Sequence, residues 1–301
     1  MKSNNLKVVP YRSGGQKNLC HIFSVPKRGE LPYNQTMQKS VAIIGGGPAG
    51  LMAAEVISTR ARSIRVDLYD SMPSLGRKFL IAGKGGLNIT HSEPFQQFVS
   101  RYGKRSARIE PMLKRFGPDE LRQWAHGLGI ETFVGTSGRV FPVGMKASPL
   151  LRAWLKRLSD SGMTFHLRHK WTGSISSESS GLSINCETPE GAKKVKADAV
   201  LLALGGGSWS RLGSDGAWVP WLRDFGAEVE PLRPSNCGFE VAWSPHFRDR
   251  FEGHPMKSVV LSFGSFHQQG EFPVCPKIIH AGLLQRVGVQ SSPKLDQCNL
   301  L

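Results

Sequence analysis

Cysteine is scarce in this sequence, and its spacing argues against the chemistry that cysteine usually signals. The five cysteines are scattered and form no CxxC pair. A disulfide framework, a cysteine zinc site and a redox dithiol all need closer or paired spacings. We therefore expect reduced thiols, no metal site and a cytoplasmic protein.

A long apolar run is missing as well. The most apolar stretch, residues 41–57, is interrupted by Gly45-Gly46-Gly47-Pro48. It is also shorter than the roughly 20 residues that a membrane-spanning helix needs. The sequence therefore predicts no transmembrane segment and no membrane partner.

Acidic residues are few relative to basic ones. Lys and Arg number 39 against 23 Asp and Glu, which gives a net charge of +16. Such a chain attracts phosphates, acidic substrates, nucleic acid or anionic lipid, and charge alone does not choose among them. With 301 residues, of which 40% are hydrophobic, the chain has the length of about two globular domains.

Much of the positive charge lies at the start of the chain. Residues 1–39 contain seven Lys and Arg but one acid, Glu30, and proline and glycine recur among them. Neither helical nor strand periodicity is present, so we predict a basic flexible leader. An organelle presequence is the alternative, although such peptides form amphipathic helices that these residues disfavour.

From residue 41 the pattern becomes strand, turn, helix and strand. Residues 41–44 are a short apolar strand, residues 51–57 are rich in helix formers, and residues 65–70 alternate like a second strand. Further along, apolar spacings of three and four predict one helix from Pro118 and another with Ser148-Pro149 as its N-cap and first position.

Between residues 163 and 204 apolar residues recur at every second position. This predicts a small antiparallel meander that begins at residues 163–167 and includes a turn at Thr188-Pro189-Glu190-Gly191. Residues 199–204 are apolar throughout, as expected for a strand in a parallel sheet covered on both faces. Residues 223–270 predict short strands and no strong helix.

The first glycine-rich turn carries the strongest motif. Gly45-Gly46-Gly47-Pro48-Ala49-Gly50 fits G-x-G-x-x-G and lies between a predicted strand and a predicted helix. Gly45 would permit the tight turn, Gly47 the approach of a pyrophosphate, and Gly50 close helix packing. Asp70 ends the next strand, where a carboxylate can accept hydrogen bonds from ribose hydroxyls. The sequence predicts a dinucleotide site, and a glycine turn without ligand is the alternative.

A second glycine-rich stretch follows Gly76-Arg77-Lys78. Residues 83–91 read Gly-Lys-Gly-Gly-Leu-Asn-Ile-Thr-His and bring several backbone donors together. Such a loop can form an anion site or lie against a flat ring. Spacing alone favours the alternative, a flexible surface loop.

Several motifs in one order resemble the BaiN/YhiN-like flavoproteins, which are NAD(P)/FAD-dependent oxidoreductases. The resemblance covers roughly residues 40–272. Its motifs are residues 45–50, Asp70, Gly76-Arg77-Lys78-Phe79-Leu80, residues 82–91, Gly138-Arg139-Val140-Phe141-Pro142, Ala203-Leu204-Gly205-Gly206, Ser208-Trp209 and Gly213-Ser214-Asp215-Gly216.

The resemblance implies FAD as cofactor and NAD(P)H as reductant. Hydride would pass through the flavin to a small organic acceptor, such as a carbon–carbon double bond conjugated to a carbonyl. Asp70 would bind the adenosine ribose, Arg77 and Lys78 would lie near the ribose and phosphates, and residues 83–88 beside the flavin. The implied cofactor-binding residues are Gly45, Gly46, Gly47, Pro48, Ala49, Gly50, Asp70, Gly76, Arg77, Lys78, Gly83, Lys84, Gly85, Gly86, Leu87, Asn88, Ala203, Leu204, Gly205 and Gly206.

No catalytic residue is evident from spacing. Lys84, which could stabilise negative charge on the reduced flavin, and His91 are the candidates. His166 and His169 lie three apart on a predicted strand, so we expect them to face opposite sides and to be surface histidines rather than metal ligands.

The predicted fold class is α/β: a Rossmann-like FAD-binding domain with a small antiparallel β meander and a partial β-rich second domain. The predicted segments are the leader (1–39), the FAD-binding domain (40–222), part of a substrate domain (223–271) and an atypical tail (272–301). After Glu271 we find neither the Gly–acid pair nor the glycine-rich turn with which the resembling family closes the flavin site. A truncation or a frame change would produce such a tail, and a divergent end of the chain is the alternative.

The expected function is an FAD-dependent oxidoreductase with a small-molecule substrate. One alternative is a flavin-fold protein that binds RNA or a ribosome, which the basic balance would suit, although no aromatic-basic RNA motif is present. The other alternative is an inactive fragment of the oxidoreductase.

Overall fold

The computed structural model describes residues 38–232, 238–240, 244–251, 254–263, 266–273 and 278–280. Almost all of the predicted leader and most of the predicted tail lie outside these residues. The chain divides into two compact units with a boundary between Glu230 and Pro231.

The first unit alternates strands and helices. Its strands are β1 (Ser40–Ile44), β2 (Arg65–Asp70), β3 (Thr90–His91), β4 (Thr132–Val134), β5 (Arg139–Pro142), β6 (Thr164–Leu167), β7 (Lys170–Glu178), β8 (Gly181–Thr188), β9 (Gly191–Ala197) and β10 (Ala199–Leu202). Its helices are α1 (Pro48–Arg60), α2 (Arg77–Ala82), α3 (Phe95–Ser100), α4 (Ser106–Leu113), α5 (Pro118–His126), α6 (Ala147–Asp160) and α7 (Trp218–Asp224).

A four-stranded parallel sheet organises the first unit. Its order is β10-β1-β2-β6, and each neighbouring pair is parallel. From β1 the chain moves through α1 to β2 on one side, whereas β10 returns on the other side. The strand order therefore reverses between β1 and β10, as in a Rossmann-like fold, and ligands of such sheets bind at this switch point. The predicted α/β class is confirmed.

Different layers cover the two faces of this sheet. Helices α1 and α6 pack on one face, around the fully buried Ile43, Leu51 and Leu68. The antiparallel meander β7-β8-β9 packs on the other face, where Trp171 and Ile184 are buried. Full burial of one such aliphatic side chain contributes about 1.5–3 kcal/mol. The two layers together hold the parallel strands in place.

Two predicted elements need correction. Residues 163–167 do not open the meander, because Thr164–Leu167 form β6 and pair in parallel with β2 at the sheet edge. An edge strand is half covered, so its residues alternate as in an antiparallel strand. Helix α6 begins at Ala147 with Lys146 at its N-cap, so Ser148 lies inside the helix rather than capping it.

A small antiparallel sheet, β3-β5-β4, lies in the sequence between β2 and β6. Its central strand β5 pairs with Thr90 and His91 on one side and with β4 on the other. The segment that leaves β5 turns at once into α6. This sheet therefore connects the second glycine-rich stretch to the start of α6.

The second unit contains β11 (Gly238–Glu240), α8 (Pro245–Phe251), β12 (Pro255–Phe263), β13 (Phe266–Pro273) and β14 (Ile278–His280). β12 pairs with β13 and β11 with β14, both antiparallel. The strand predicted at residues 259–261 lies within β12. Helix α8 was not predicted, and its sequence, Pro-His-Phe-Arg-Asp-Arg-Phe, lacks a clear apolar stripe.

One buried carboxylate joins three helices. Glu55 Oε2 in α1 accepts hydrogen bonds from the indole N–H of Trp154, at 2.7 Å, and of Trp124, at 3.0 Å. Arg157 Nη2 lies 2.6 Å from Glu55 Oε1 as an ion pair, although its N–H groups are not aimed well enough to count as hydrogen bonds. The side chain of Glu55 is only 13% exposed, so its three partners share one carboxylate that is largely shielded from water.

We predict that Glu55→Ala lowers the free energy of unfolding by about 2–4 kcal/mol, because two indole donors lose their acceptor and a guanidinium loses its counter-ion. Glu55→Gln should lose less, since its amide oxygen can still accept. Lys156→Ala in the same bundle is the control. It removes an exposed pair with Asp160 and should cost less than about 1 kcal/mol in urea unfolding. Equal effects of Glu55→Ala and Lys156→Ala would contradict this role.

Candidate cofactor site

Two loops meet at the carboxyl edge of the parallel sheet, between β1 and β10. We call residues 45–50 the first glycine loop and residues 203–206 the third glycine loop. A methyl group added to Gly45 would lie 2.2 Å from the Ala203 carbonyl oxygen, and Gly45 has a φ of +109°. The Ala203 N–H donates to Ile44 O at 2.8 Å. Only glycine fits this contact, because both the space and the backbone angle exclude a side chain.

The first glycine loop leads directly into α1. A methyl group on Gly50 would lie 1.9 Å from the Gly45 carbonyl oxygen, so the helix starts in close contact with the turn. Gly47 is the N-cap and Pro48 occupies the first helical position, where its missing N–H is no loss. The free amides of the first turn and the helix dipole both favour an anion at this end.

Asp70, at the end of β2, closes the other side of the first glycine loop. Its Oδ2 accepts the N–H of Gly46 at 2.6 Å, and its Oδ1 accepts the N–H of Met72 at 2.7 Å. Burial raises the pKa of Asp70, and the two N–H donors and Arg77 offset this only in part. A carboxylate has about four lone-pair positions, so Asp70 can accept further hydrogen bonds.

Helix α2 brings two basic side chains to the same edge. Arg77 donates to Ser74 Oγ at 3.4 Å, while its Nε is buried and has no hydrogen-bond partner among the described residues. Lys78 Nζ donates to Ser208 Oγ at 3.1 Å and to Ser214 Oγ at 3.2 Å. Ser214 is itself buried and donates to the Gly206 carbonyl at 2.9 Å. Lys78 thus links α2 to the third glycine loop.

Residues 83–88, the second glycine loop, follow α2. Leu87 is buried and anchors the loop, whereas Lys84 is exposed to solvent. His91 Nε2 donates to the Ser137 carbonyl at 3.0 Å, and the Glu93 N–H donates to its Nδ1 at 3.1 Å. Both ring nitrogens of His91 are therefore engaged in holding backbone, which favours a structural role over proton transfer.

Each of the three glycine loops contains one glycine that the protein itself does not require. A methyl group added to Gly47, Gly85 or Gly206 would meet no atom within 4 Å among the described residues. None of the three has a positive φ. Neither packing among the described residues nor the backbone angle therefore requires glycine at these positions, and the space beside each of them is open.

The expectation that His166 and His169 face opposite sides was wrong. β6 ends at Leu167, and Arg168 has a φ of +56°, so the chain reverses and brings the two rings within 5.4 Å of each other. His166 stacks on Tyr69 at 4.4 Å and contacts Asp67 Oδ1 at 2.9 Å. Among the described residues no group of three or more His, Cys, Asp or Glu could hold a metal ion.

Sequence reasoning missed two contributions to the site. Ser214 belonged to a quoted motif but was given no role, although it joins Lys78 to the third glycine loop. Met145 was not considered, and it contacts the second glycine loop. The motif Gly213-Ser214-Asp215-Gly216 could have pointed to Ser214. Nothing in the sequence around Met145 indicates that this residue lies against the second glycine loop.

The chain matches the family model described as the HI0933-like protein Rossmann domain over residues 39–290. The match extends beyond residue 272, where the resemblance was expected to end. Among the described residues no helix is long and apolar enough to cross a membrane.

A curated relative and two solved structures are also similar to the chain. The 3-dehydro-bile acid delta(4,6)-reductase of Clostridium scindens is 24% identical over 205 residues, which are 68% of this chain and 48% of that protein. The chain therefore spans about half the length of this relative. A variant of the E. coli quinol fumarate reductase subunit FrdA is 15% identical, with a TM-score of 0.44, over 58% of this chain and 34% of that one. The 3-ketosteroid-delta4-(5alpha)-dehydrogenase of Rhodococcus jostii is 14% identical, with a TM-score of 0.38, over 56% and 46%.

We predict that Asp70 in the ligand-free protein titrates above the ordinary aspartate value of about 3.9, because its burial outweighs its two N–H donors. Asp198 is the internal control. Burial alone would raise its pKa, but hydrogen bonds from Lys39 and Ser40 lower it. Carbon-13 NMR titration of the carboxyl groups should therefore find Asp70 above Asp198, and the reverse order would contradict the described environment.

Proposed function

Because this chain belongs to the HI0933-like family of FAD-binding Rossmann proteins, we propose that it is an FAD-dependent oxidoreductase, or the FAD-binding part of one. We propose further that NAD(P)H is its reductant and a small organic molecule its hydride acceptor. Membership in this family confirms the resemblance to the BaiN/YhiN-like flavoproteins that the motifs indicated. We therefore propose the oxidoreductase activity, the hydride donor and the hydride acceptor for this chain.

The observation that carries the proposal is the set of open glycines. Gly47, Gly85 and Gly206 come from separate loops, and the first and third loops meet at the sheet edge. FAD needs close backbone approach along its diphosphate and against its flat ring, which is what such glycines permit. The buried, unpartnered Nε of Arg77 adds a donor that a phosphate oxygen could satisfy. The residues therefore fit FAD.

The side chains would bind and orient the cofactor. The carboxylate of Asp70 has free lone pairs for ribose hydroxyls, and the first turn of α1 offers amides to the diphosphate. Bound there, FAD would supply hydride transfer. Lys84 is exposed within the second glycine loop, where its positive charge would stabilise a negative charge that develops on the flavin.

The acceptor is proposed by analogy with the relative. That protein's name describes a reductase that acts on a 3-dehydro-bile acid. This supports an acceptor with a double bond conjugated to a carbonyl for the present chain. The relative is only 24% identical, so the analogy extends to the type of acceptor and not to a particular molecule.

We predict that Gly47→Ala, Gly85→Ala and Gly206→Ala each weaken FAD binding by at least about tenfold, which is about 1.4 kcal/mol. The added methyl would occupy the space left for the cofactor. The same changes should leave folding stability unchanged or raise it by up to about 1 kcal/mol, because alanine fits the backbone and restricts the unfolded chain.

Gly127→Ala is the matched control for the three glycine variants. Gly127 has a φ of −61°, and its added methyl would make only ordinary contacts, the nearest at 3.4 Å. FAD titration followed by flavin fluorescence measures the affinity, and thermal melts measure stability. If the three variants bound FAD as tightly as Gly127→Ala does, the open glycines would not form the cofactor site.

We also predict that the purified chain carries flavin absorbance, which NADH or NADPH bleaches under anaerobic conditions. An added enone should then restore the absorbance. A preparation that binds FAD but that neither nicotinamide bleaches would contradict the proposed reductant. A chain that does not bind FAD would contradict the proposed function as a whole.

A further inference from the structure

The second glycine loop is held from one side by β5 and by the residues that lead from it into α6, a segment that runs from Val140 to Ala147. The Met145 carbonyl accepts the N–H of Leu87 at 2.9 Å, and the Val140 carbonyl accepts the N–H of Ile89 at 2.9 Å. The side-chain amide of Asn88 donates to the same Val140 carbonyl at 3.1 Å. The loop thus receives its conformation from residues more than fifty positions further along the chain.

The same segment also packs against two glycines of the loop. A methyl group on Gly83 would lie 2.5 Å from Ala147 Cβ, and one on Gly86 would lie 2.6 Å from Met145 Cε. Gly85, between them, meets no atom within 4 Å. Met145 therefore covers the loop at Gly86, while the neighbouring Gly85 remains open.

Met145 has a backbone conformation that a methionine seldom adopts. Its φ is +57°, in the left-handed region where side chains are disfavoured and glycine is not. Met145 is 37% exposed, so nearly two thirds of it is buried, and this burial offsets part of the cost. Gly144, directly before it, shows that glycine is used where this turn needs such angles. A strained residue beside a functional loop is typical of residues kept for position rather than for stability.

We propose that Met145 is a positioning residue for the second glycine loop. Its carbonyl fixes Leu87 and its thioether end covers Gly86, so that Gly85 stays the face of the loop that is open to the flavin. The inference rests on the proposed FAD function, because it assigns the loop to the flavin. Met145 does not itself react.

The decisive variant is Met145→Gly. Glycine relieves the backbone strain but also removes a mostly buried side chain, so the two effects on stability should largely cancel, whereas cofactor binding loses the cover over Gly86. We expect a melting temperature close to that of the wild type, an FAD dissociation constant raised about tenfold, and faster hydrogen exchange at the Leu87 amide of the ligand-free protein. Met145→Leu should restore most of the affinity, and Met145→Ala should lie between the two.

Two control variants distinguish a specific role of Met145 from the general effects of changing this turn or of relieving a left-handed backbone angle. Val143→Ala shortens an apolar side chain in the same turn that is 65% exposed. Arg168→Gly relieves a similar left-handed angle, with a φ of +56°, in the turn after β6. Both should leave the FAD dissociation constant and the Leu87 exchange rate unchanged.

The outcomes distinguish this inference from the proposed function. If the wild-type chain does not bind FAD, the proposed function fails and the role of Met145 fails with it. If the wild-type chain binds FAD and Met145→Gly binds it equally well, only the role of Met145 is overturned. A parallel loss of melting temperature and affinity in Met145→Gly would show a merely structural residue and would also overturn the inference.

Discussion

The close approach of the turn after β1 to the loop after β10 is the constraint on which the rest of the site depends. At Gly45 and Gly50 no side chain fits, because carbonyl oxygens lie within 2.2 Å of where a methyl group would be. This contact brings the start of α1 against the sheet at the point where the strand order reverses. The free amides of the helix, Asp70 and the third glycine loop then share one edge of the sheet, which is where we propose that the dinucleotide binds.

The glycines of the three loops serve two different purposes. Some, such as Gly45 and Gly83, are required by neighbouring atoms or by the backbone angle, and they hold the loops in place. Others, such as Gly47 and Gly206, have open space where a side chain would lie, as far as the described residues show, and no positive φ that would require glycine. Polar links support this arrangement, since Lys78 joins α2 to Ser214, and Ser214 joins in turn to the third glycine loop. In each loop, a glycine that its surroundings require thus lies close in sequence to one that has open space beside it.

Local elements of this fold could be predicted from the sequence, and distant contacts could not. β1, α1 and β2 follow from short patterns, and the structure agrees within a few residues. β6 was misassigned because an exposed edge strand alternates like a meander strand. Glu55 gave no signal because its indole partners are 69 and 99 residues away. Arg168 and Met145 adopt left-handed angles that their residue types do not favour, so the reversal near His169 and the cover over Gly86 were unpredictable.

The central claim is that the carboxyl edge of the parallel sheet, between β1 and β10, binds FAD. The most direct measurement is nitrogen-15 NMR of the chain during titration with FAD. The account predicts that the amide signals of Gly47, Ala49, Gly85 and Gly206 shift, while that of Ser40, at the opposite end of β1, does not. Shifts confined to the opposite edge of the sheet, or no saturable shift at all, would contradict it.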